Sequence, residues 1–460
     1  MTAKIAIPNW KKVSSHVYIA MRTAALLPSF SKTPMKGSRR RRTTLPLLRR
    51  RRRPIILTCN KKSEEEDDVV VVVSGALGFI GSHCVEHLLR ERPLLRDIDD
   101  VLVVGIDATS KQLGPCPMEH KKANLKRLLL MSSSNDKKSS DDDDDDDSDA
   151  KFVFVEGYLS LSAMDAMEKQ LKNVIFDNDD KKKKRRRKIG VVHCAGQSGV
   201  HATLDDPMGA FRANVETTAT MIELAKRLRG NFVLLSSGAT YGDGAGKMVA
   251  SKEEEGVMGD DDGKSSMPTS PYAFSKIACE AVVRSYGRAF EEMEKKITIS
   301  RIFTCFGNRG RPDMAISRFM RTLLSNGDES EKKLTMFGDG EDTWRDYCHV
   351  SDVCSGIEKA LWREKGSTCE TVNISRGEAV TLGRLVSAVQ KAASDELKSS
   401  TSDDAVVIEK LPKRPGDVGG TFADVTKAKL LLDFEAKISL EDGIASVAKW
   451  YNSDEAKQYT

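Results

Sequence analysis

The feature that most constrains the fold of this chain is a strand, a turn and a helix read in immediate succession near residue 70. Val69 to Val73 is an unbroken run of valines, and β-branched residues without polar alternation mark a strand buried on both faces. The run leads into Gly75-Ala-Leu-Gly78-Phe-Ile-Gly81, and Ile80 to Arg90 then follows an amphipathic helical pattern. In that context each glycine has its own physical use. Gly75 permits a tight turn, Gly78 lets the backbone approach a pyrophosphate, and Gly81 allows close packing of helix on strand. The helix N-terminus, at Phe79 and Ile80, adds N–H groups and the positive end of its dipole. This unit reads as half of a dinucleotide site.

The rest of the chain supplies the sheet that such a unit needs. Apolar runs recur at Val101 to Ile106, Phe152 to Val155, Ile189 to His193, Phe232 to Leu235 and Ile297 to Ile302, with helical patterns at Ala210 to Leu228 and Tyr272 to Phe290. Strands alternating with helices predict an α/β fold, a doubly wound parallel sheet of the Rossmann type, followed by a smaller C-terminal α/β substrate domain. The second strand ends in Asp107, whose carboxylate is placed to accept both ribose hydroxyls of an adenosine half and to repel a 2′-phosphate. NAD is therefore expected over NADP. The expected division is a basic low-complexity tail or transit peptide over 1–68, an NAD-binding domain with low-complexity inserts over 69–303, and a substrate-binding region over 304–460.

Composition excludes more than it assigns. The net charge of +5 is small beside 73 basic and 68 acidic residues that lie in blocks, so it names no partner. The arginine runs Arg39 to Arg42 and Arg49 to Arg53 lack interleaved aromatics or a recognisable module, which argues against a specific nucleic-acid partner. Residues 1–63 carry no Asp or Glu, the composition of a plastid or mitochondrial leader or of a basic tail on a cytoplasmic protein. No apolar run reaches the ~20 residues that span a bilayer. Four polar tracts, Ser132 to Asp149, Asn178 to Lys188, Lys252 to Ser266 and Ser394 to Asp404, read as solvated loops. The nine cysteines include no C-x-x-C pair and are read as reduced and packed rather than metal-binding or catalytic. A metal site is not expected.

Two segments carry chemistry. Ser236-Ser237-Gly-Ala-Thr-Tyr241 follows an apolar strand and puts Ser237 at the C-terminal edge of the sheet. Further on, Ser270-Pro271-Tyr272-Ala-Phe-Ser-Lys276 sets Tyr272 and Lys276 four apart, on one face of a helix. A free phenol, with a pKa of ~10, is a poor base at neutral pH, whereas a neighbouring ammonium and a positive nicotinamide favour the phenolate. The expected roles are Tyr272 as proton acceptor, Lys276 as its tuner and a cofactor contact, and Ser237 as the donor that orients the reacting hydroxyl.

With these motifs in this order, Val69 to about Tyr451 resembles the extended short-chain dehydrogenase/reductase family, the NAD-dependent epimerases and dehydratases. Within it the chain is most similar to UDP-glucuronate 4-epimerases, through Thr304 and the run Gly310-Arg311-Pro312-Asp313-Met314-Ala315. The resemblance implies that Ala195, Gly196, Gln197 and Asn214 line the NAD site. It further implies that Thr304, Arg345, Arg414 and Asp417 hold a UDP-sugar, the two arginines gripping the diphosphate. Family members that dehydrate or decarboxylate carry an acid where this chain has Ala239, so 4-epimerisation through a 4-keto intermediate is the expected reaction. UDP-glucose 4-epimerisation, another family reaction, and a non-catalytic nucleotide-sugar sensor are the alternatives, and a homodimer is compatible with all of them. Two positions depart from the family pattern. His201 replaces an arginine that faces the uronate carboxylate, and Tyr158 replaces an aspartate aimed at adenine.

Overall fold

A computed structural model describes residues 68–459 except 92–93, 96–97, 99–100, 110–115, 135–149, 177–186, 243–247, 255–267, 326–331, 339, 342, 367, 398–405 and 413–418. The basic tail, most of each polar tract, and Arg414 and Asp417 lie outside the described residues. In chain order the first half contains β1 (Asp68–Ser74), α1 (Phe79–Arg90), β2 (Val101–Asp107), α2 (Met118–Ser134), β3 (Ala150–Glu156), α3 (Met164–Ile175) and β4 (Arg187–His193). There follow α4 (Val200–Asp205), α5 (Pro207–Phe211), α6 (Thr217–Arg227), β5 (Asn231–Ser237), α7 (Pro271–Ala289), α8 (Glu291–Glu294) and β6 (Ile297–Ile302). The C-terminal part holds β7 (Thr304–Phe306), α9 (Ala315–Leu324), β8 (Lys332–Phe337), β9 (Trp344–Arg345), β10 (Tyr347–His349), α10 (Val350–Leu361) and β11 (Glu370–Ile374). It ends with β12 (Val380–Thr381), α11 (Leu382–Leu397), β13 (Val406–Leu411), β14 (Gly420–Thr421), α12 (Thr426–Leu432) and α13 (Leu440–Tyr451).

Seven parallel strands form the main sheet in the order β11-β6-β5-β4-β1-β2-β3. The doubly wound expectation is met, and the six apolar runs are its first six strands. Residues of β1 alternate between two cores. Val69, Val71 and Val73 pack under α1, α2 and α10 with Leu88, Leu128 and Ile357, while Val70 and Val72 pack under α3, α6 and α7 with Leu171, Met221 and Val283. A strand with helices on both faces has no polar side, which is why it reads as pure valine. A third core, including Phe319, Met320, Leu385 and Ile444, organises the C-terminal lobe.

Three details differ from the sequence expectation. The pattern from Ala210 to Leu228 is not one helix, because a π-turn at Arg212–Glu216 separates α5 from α6. The tract Ser394 to Asp404 begins inside α11, and Arg187 and Lys188 belong to β4, where Arg187 Nε donates to Asp68 at 3.4 Å. Strand β11, at the sheet edge, comes from beyond residue 304 and pairs with β6.

Strand order reverses between β1 and β4, so their C-terminal ends open a crevice where a dinucleotide can lie. Helix α1, which begins at that crevice, is tied to α10 by His87, whose Nε2 lies 2.7 Å from Glu358. Burial opposes the imidazolium, but hydrogen bonds and attraction from Glu358 and Glu91 outweigh it and raise His87 to about 9. A pKa raised on folding stabilises below the unfolded value of ~6.5 and ceases to do so as the pH passes through 9. Thermal unfolding of the parent should therefore lose on the order of 3 kcal/mol between pH 6.5 and 9.5 relative to His87→Gln. Parallel pH profiles for the two proteins would refute the pair's contribution.

Candidate active site

The glycine turn is sterically closed to a side chain at Gly75 and at Gly81. A Cβ on Gly81 would stand 2.0 Å from the carbonyl oxygen of Gly75, and one on Gly75, at φ 69°, would stand 2.7 Å from Ala195 N. Gly78 is the N-cap of α1 and no side chain caps the helix, so its first turn, at Phe79 and Ile80, has N–H groups to offer an anion. The turn is also pinned to β2. Leu77 N donates to Asp107 Oδ2 at 2.9 Å, and Gly75 N donates to Ile106 O at 2.8 Å. These features fit a dinucleotide pyrophosphate.

Asp107 is more engaged than the sequence indicates. Its Oδ1 accepts from Ala108 N at 2.7 Å and from Lys121 Nζ at 2.7 Å, and Lys121 also donates to Ala108 O. Both side chains of the pair are more than nine-tenths buried. A carboxylate offers about four acceptor positions, and three are in use, so room remains for one ribose hydroxyl rather than two. Lys121 is a partner of the candidate site that the sequence does not reveal. It stands in a lysine-rich helix, α2, with no local pattern linking it to Asp107.

At the ends of β4 and β1, His193 is held between Ser74 Oγ at 2.7 Å and Thr218 Oγ1 at 3.1 Å. Burial first, and then the charge of Lys276, push its imidazole down to about 3, so it is a neutral bridge and no acid. The following loop, Ala195 to Gln197, is fixed by Asn214. Its Oδ1 accepts from Gln197 N at 2.7 Å, and its Nδ2 donates to Gln197 O and to Ser275 Oγ. Ser275 in turn donates to Tyr272 O at 2.7 Å. Asn214 sits in the π-turn, whose extra residue turns a side chain of this helical run toward α7. It therefore joins the loop of Ala195 to Gln197 to α7.

Ser270 and Pro271 start α7, the serine Oγ accepting from Ala273 N and the proline occupying the first helical turn. Tyr272 and Lys276 fall on one face of this helix, and Lys276 Nζ donates to Leu235 O at 2.9 Å, at the end of β5. Ser237 closes β5. Its Oγ accepts from Ala239 N at 3.1 Å, which leaves the hydroxyl proton to donate elsewhere. Thr304 is half-buried in β7, where its N–H donates to Asp346 O at 2.9 Å. Arg345 lies in the small sheet β12-β9-β14 and donates to Trp344 O and Gly419 O. The structure thus brings together Gly75, Asp107, Gln197, Ser237, Tyr272 and Lys276 along one sheet edge. Tyr158 lies one residue beyond Gly157, whose N–H donates to Asp107 O.

Arg311, quoted in sequence only as part of a motif, reaches back across the crevice. Its Nη1 donates to Ser198 Oγ at 2.6 Å, and Nε and Nη2 donate to Asp313. The guanidinium lies over Gly199, two residues before His201. Among the described residues, no group of three or more His, Cys, Asp or Glu could hold a metal ion, and no helix is long and apolar enough to cross a membrane.

Fold and site together define a dinucleotide-binding protein of the doubly wound class with a Ser, Tyr and Lys constellation. Residues 170–375 match the model of the NAD dependent epimerase/dehydratase family. An uncharacterized UDP-glucose epimerase, YtcB, of Bacillus subtilis is 28% identical over 383 residues, 83% of this chain and 97% of that one. A UDP-glucuronate 4-epimerase of Thermodesulfobacterium geofontis is 29% identical over 262 residues, covering 56% of this chain and 71% of that one. The crystal structure of UDP-glucuronic acid 4-epimerase from Bacillus cereus with UDP-glucuronic acid and NAD superposes with a TM-score of 0.62 at 26% identity, covering 83% of this chain and 98% of that one. The chain is thus similar to the NAD-dependent epimerase/dehydratase family, and NAD is its cofactor.

Proposed function

We propose that the chain is a 4-epimerase of a UDP-uronate, interconverting UDP-glucuronate and UDP-galacturonate. The observation that carries this reading is Arg311, a cation from the C-terminal lobe held over Gly199 by Ser198 and Asp313. It brings a guanidinium to the loop where His201 stands in place of the arginine of the uronate epimerases. Three of its five N–H groups are used in these bonds, which leaves capacity for a sugar carboxylate. The Bacillus cereus relative bound to UDP-glucuronic acid supports the same substrate class.

NAD, when bound, accepts a hydride from C4 of the sugar and returns it. Tyr272 takes the C4 hydroxyl proton and later gives it back. Ser237 Oγ donates to the oxygen at C4, and Lys276 holds its ammonium between the tyrosine and the cofactor ribose. Asn214 keeps the loop of Ala195, Gly196 and Gln197 in register with α7. Ala239 places a methyl group where an acid would be needed for dehydration or decarboxylation, so the 4-keto sugar has only to turn over in the pocket and be reduced on its other face. Thr304, Arg345, Arg414 and Asp417 hold the nucleotide sugar, the two arginines on its diphosphate.

A second reading, UDP-glucose 4-epimerisation, is favoured by His201 and by the printed name of the Bacillus subtilis relative. The purified protein should be incubated separately with UDP-glucuronate, UDP-glucose and UDP-xylose and the products resolved by chromatography. UDP-galacturonate as the fastest product is the expected result. UDP-galactose instead would establish the second reading, and no turnover of any sugar would leave a binding protein.

A further inference from the structure

The catalytic face of α7 continues one turn beyond the lysine. Tyr272, Lys276 and Glu280 succeed one another at intervals of four, so the three side chains form one row over the C-terminal ends of β5 and β6. Glu280 is 4% exposed and Arg301, in β6, is 1% exposed. Arg301 forks onto the carboxylate, Nε to Oε1 at 3.0 Å and Nη2 to Oε2 at 2.9 Å, while Ser236 Oγ donates to Oε1 at 2.6 Å. Ser236 and Arg301 are register partners in adjacent strands, and the next residue along β5 is Ser237.

The far side of the guanidinium is also occupied. Arg301 lies 4.6 Å from the centre of the Tyr241 ring and donates to Glu253 O. Tyr241 donates to Asn373 Oδ1 at 2.6 Å, and Asn373 Nδ2 reaches Ser251 O and Asp424 O in the segments that join the C-terminal lobe. A buried ion pair is a costly way to gain stability, since well-packed apolar residues of the same volume commonly serve as well or better. What the fork adds is a fixed distance, because two parallel charged hydrogen bonds tolerate little sliding.

We propose that Glu280 and Arg301 are positioning residues of the reaction, a clamp that sets the height of the Tyr272 and Lys276 row against Ser237. The inference rests on the catalytic assignment of those three residues. Slippage of α7 by a fraction of a turn would leave the Tyr272 to Lys276 spacing intact but move both away from Ser237 and the sugar C4. The loss should therefore fall on kcat and spare the binding of a nucleotide sugar held mainly by the C-terminal lobe.

The test compares the full-length parent, Glu280→Asp, the double variant Glu280→Leu with Arg301→Met, and Tyr272→Phe. Each is measured for melting temperature, kcat, and calorimetric Kd for the preferred UDP-sugar. The double variant removes both charges at once and should melt within a few degrees of the parent, yet turn over at least tenfold more slowly with a Kd changed less than threefold. Glu280→Asp keeps the charge and withdraws it by one methylene, and should lose several-fold in kcat with Kd preserved, so the clamp is tested even if the double variant does not fold. Parent-like kcat in a folded double variant, or in Glu280→Asp, overturns the proposal. Tyr272→Phe separates the two levels of argument. If it too turns over normally, the catalytic assignment is what has failed, whereas an inactive Tyr272→Phe beside a fully active clamp variant sinks the clamp alone.

Discussion

Tyr272→Phe should reduce turnover by about 10²- to 10⁴-fold while the affinities for NAD and for the UDP-sugar change little. The substitution removes one oxygen and keeps the ring, so the packing of α7, capped by Ser270 and joined to Asn214 through Ser275, is undisturbed. What disappears is the group that, in the proposed mechanism, takes the C4 proton as hydride leaves. Ser237→Ala should cost less, because its proposed role is to orient the hydroxyl and the proton still has an acceptor. Lys276→Met should act on both quantities, slowing turnover and weakening NAD, since the proposed mechanism has its ammonium serve tyrosine and cofactor together. Steady-state kinetics with each variant, alongside calorimetric binding of the nucleotide sugar, check the order. Turnover by Tyr272→Phe within a few-fold of the parent would mean that another group is the base.

The parts of this architecture legible in sequence are those written in neighbouring residues. A parallel strand covered on both faces must be apolar throughout, so β1 to β6 announce themselves, as does the glycine turn, where a Cβ on Gly81 would strike Gly75. The Tyr272 and Lys276 pair was legible for the same reason, since one helical turn joins them. Strand β11 was not, because Glu370-Thr-Val-Asn-Ile is short and polar in part and owes its place to β6 alone. The π-turn was missed because its residues keep a helical pattern while the hydrogen bonding slips by one. The interactions that complete the site lie far apart in the chain. Lys121 meets Asp107, Arg301 meets Glu280, and Arg311 meets Ser198 only once sheet and lobe have assembled. No periodicity encodes such pairs.

Asp107→Ala should weaken NAD by about 10- to 100-fold, the effect of losing a charged hydrogen bond to a ribose hydroxyl, and should invert much of the discrimination against NADP. The inversion follows from Lys121. In the parent the buried ammonium and carboxylate cancel at a distance, but in the proposed site the ribose meets the carboxylate, so a 2′-phosphate would face a negative oxygen. Without it the same phosphate faces the ammonium of Lys121 alone. Opposite unit charges ~5 Å apart, at an effective dielectric constant of ~20, attract by about 3 kcal/mol, so the NADP to NAD ratio should rise by on the order of 100-fold. Asp107→Asn, which keeps an acceptor for Leu77 N, should move the ratio in the same direction without loosening the glycine turn. Lys121→Met should move it the opposite way, because the carboxylate is then uncompensated. The ratio can be read by equilibrating each protein with an equimolar excess of the two dinucleotides and quantifying the bound species by mass spectrometry, which does not depend on catalysis. An unchanged ratio in Asp107→Asn and in Lys121→Met would place the adenosine ribose away from the end of β2.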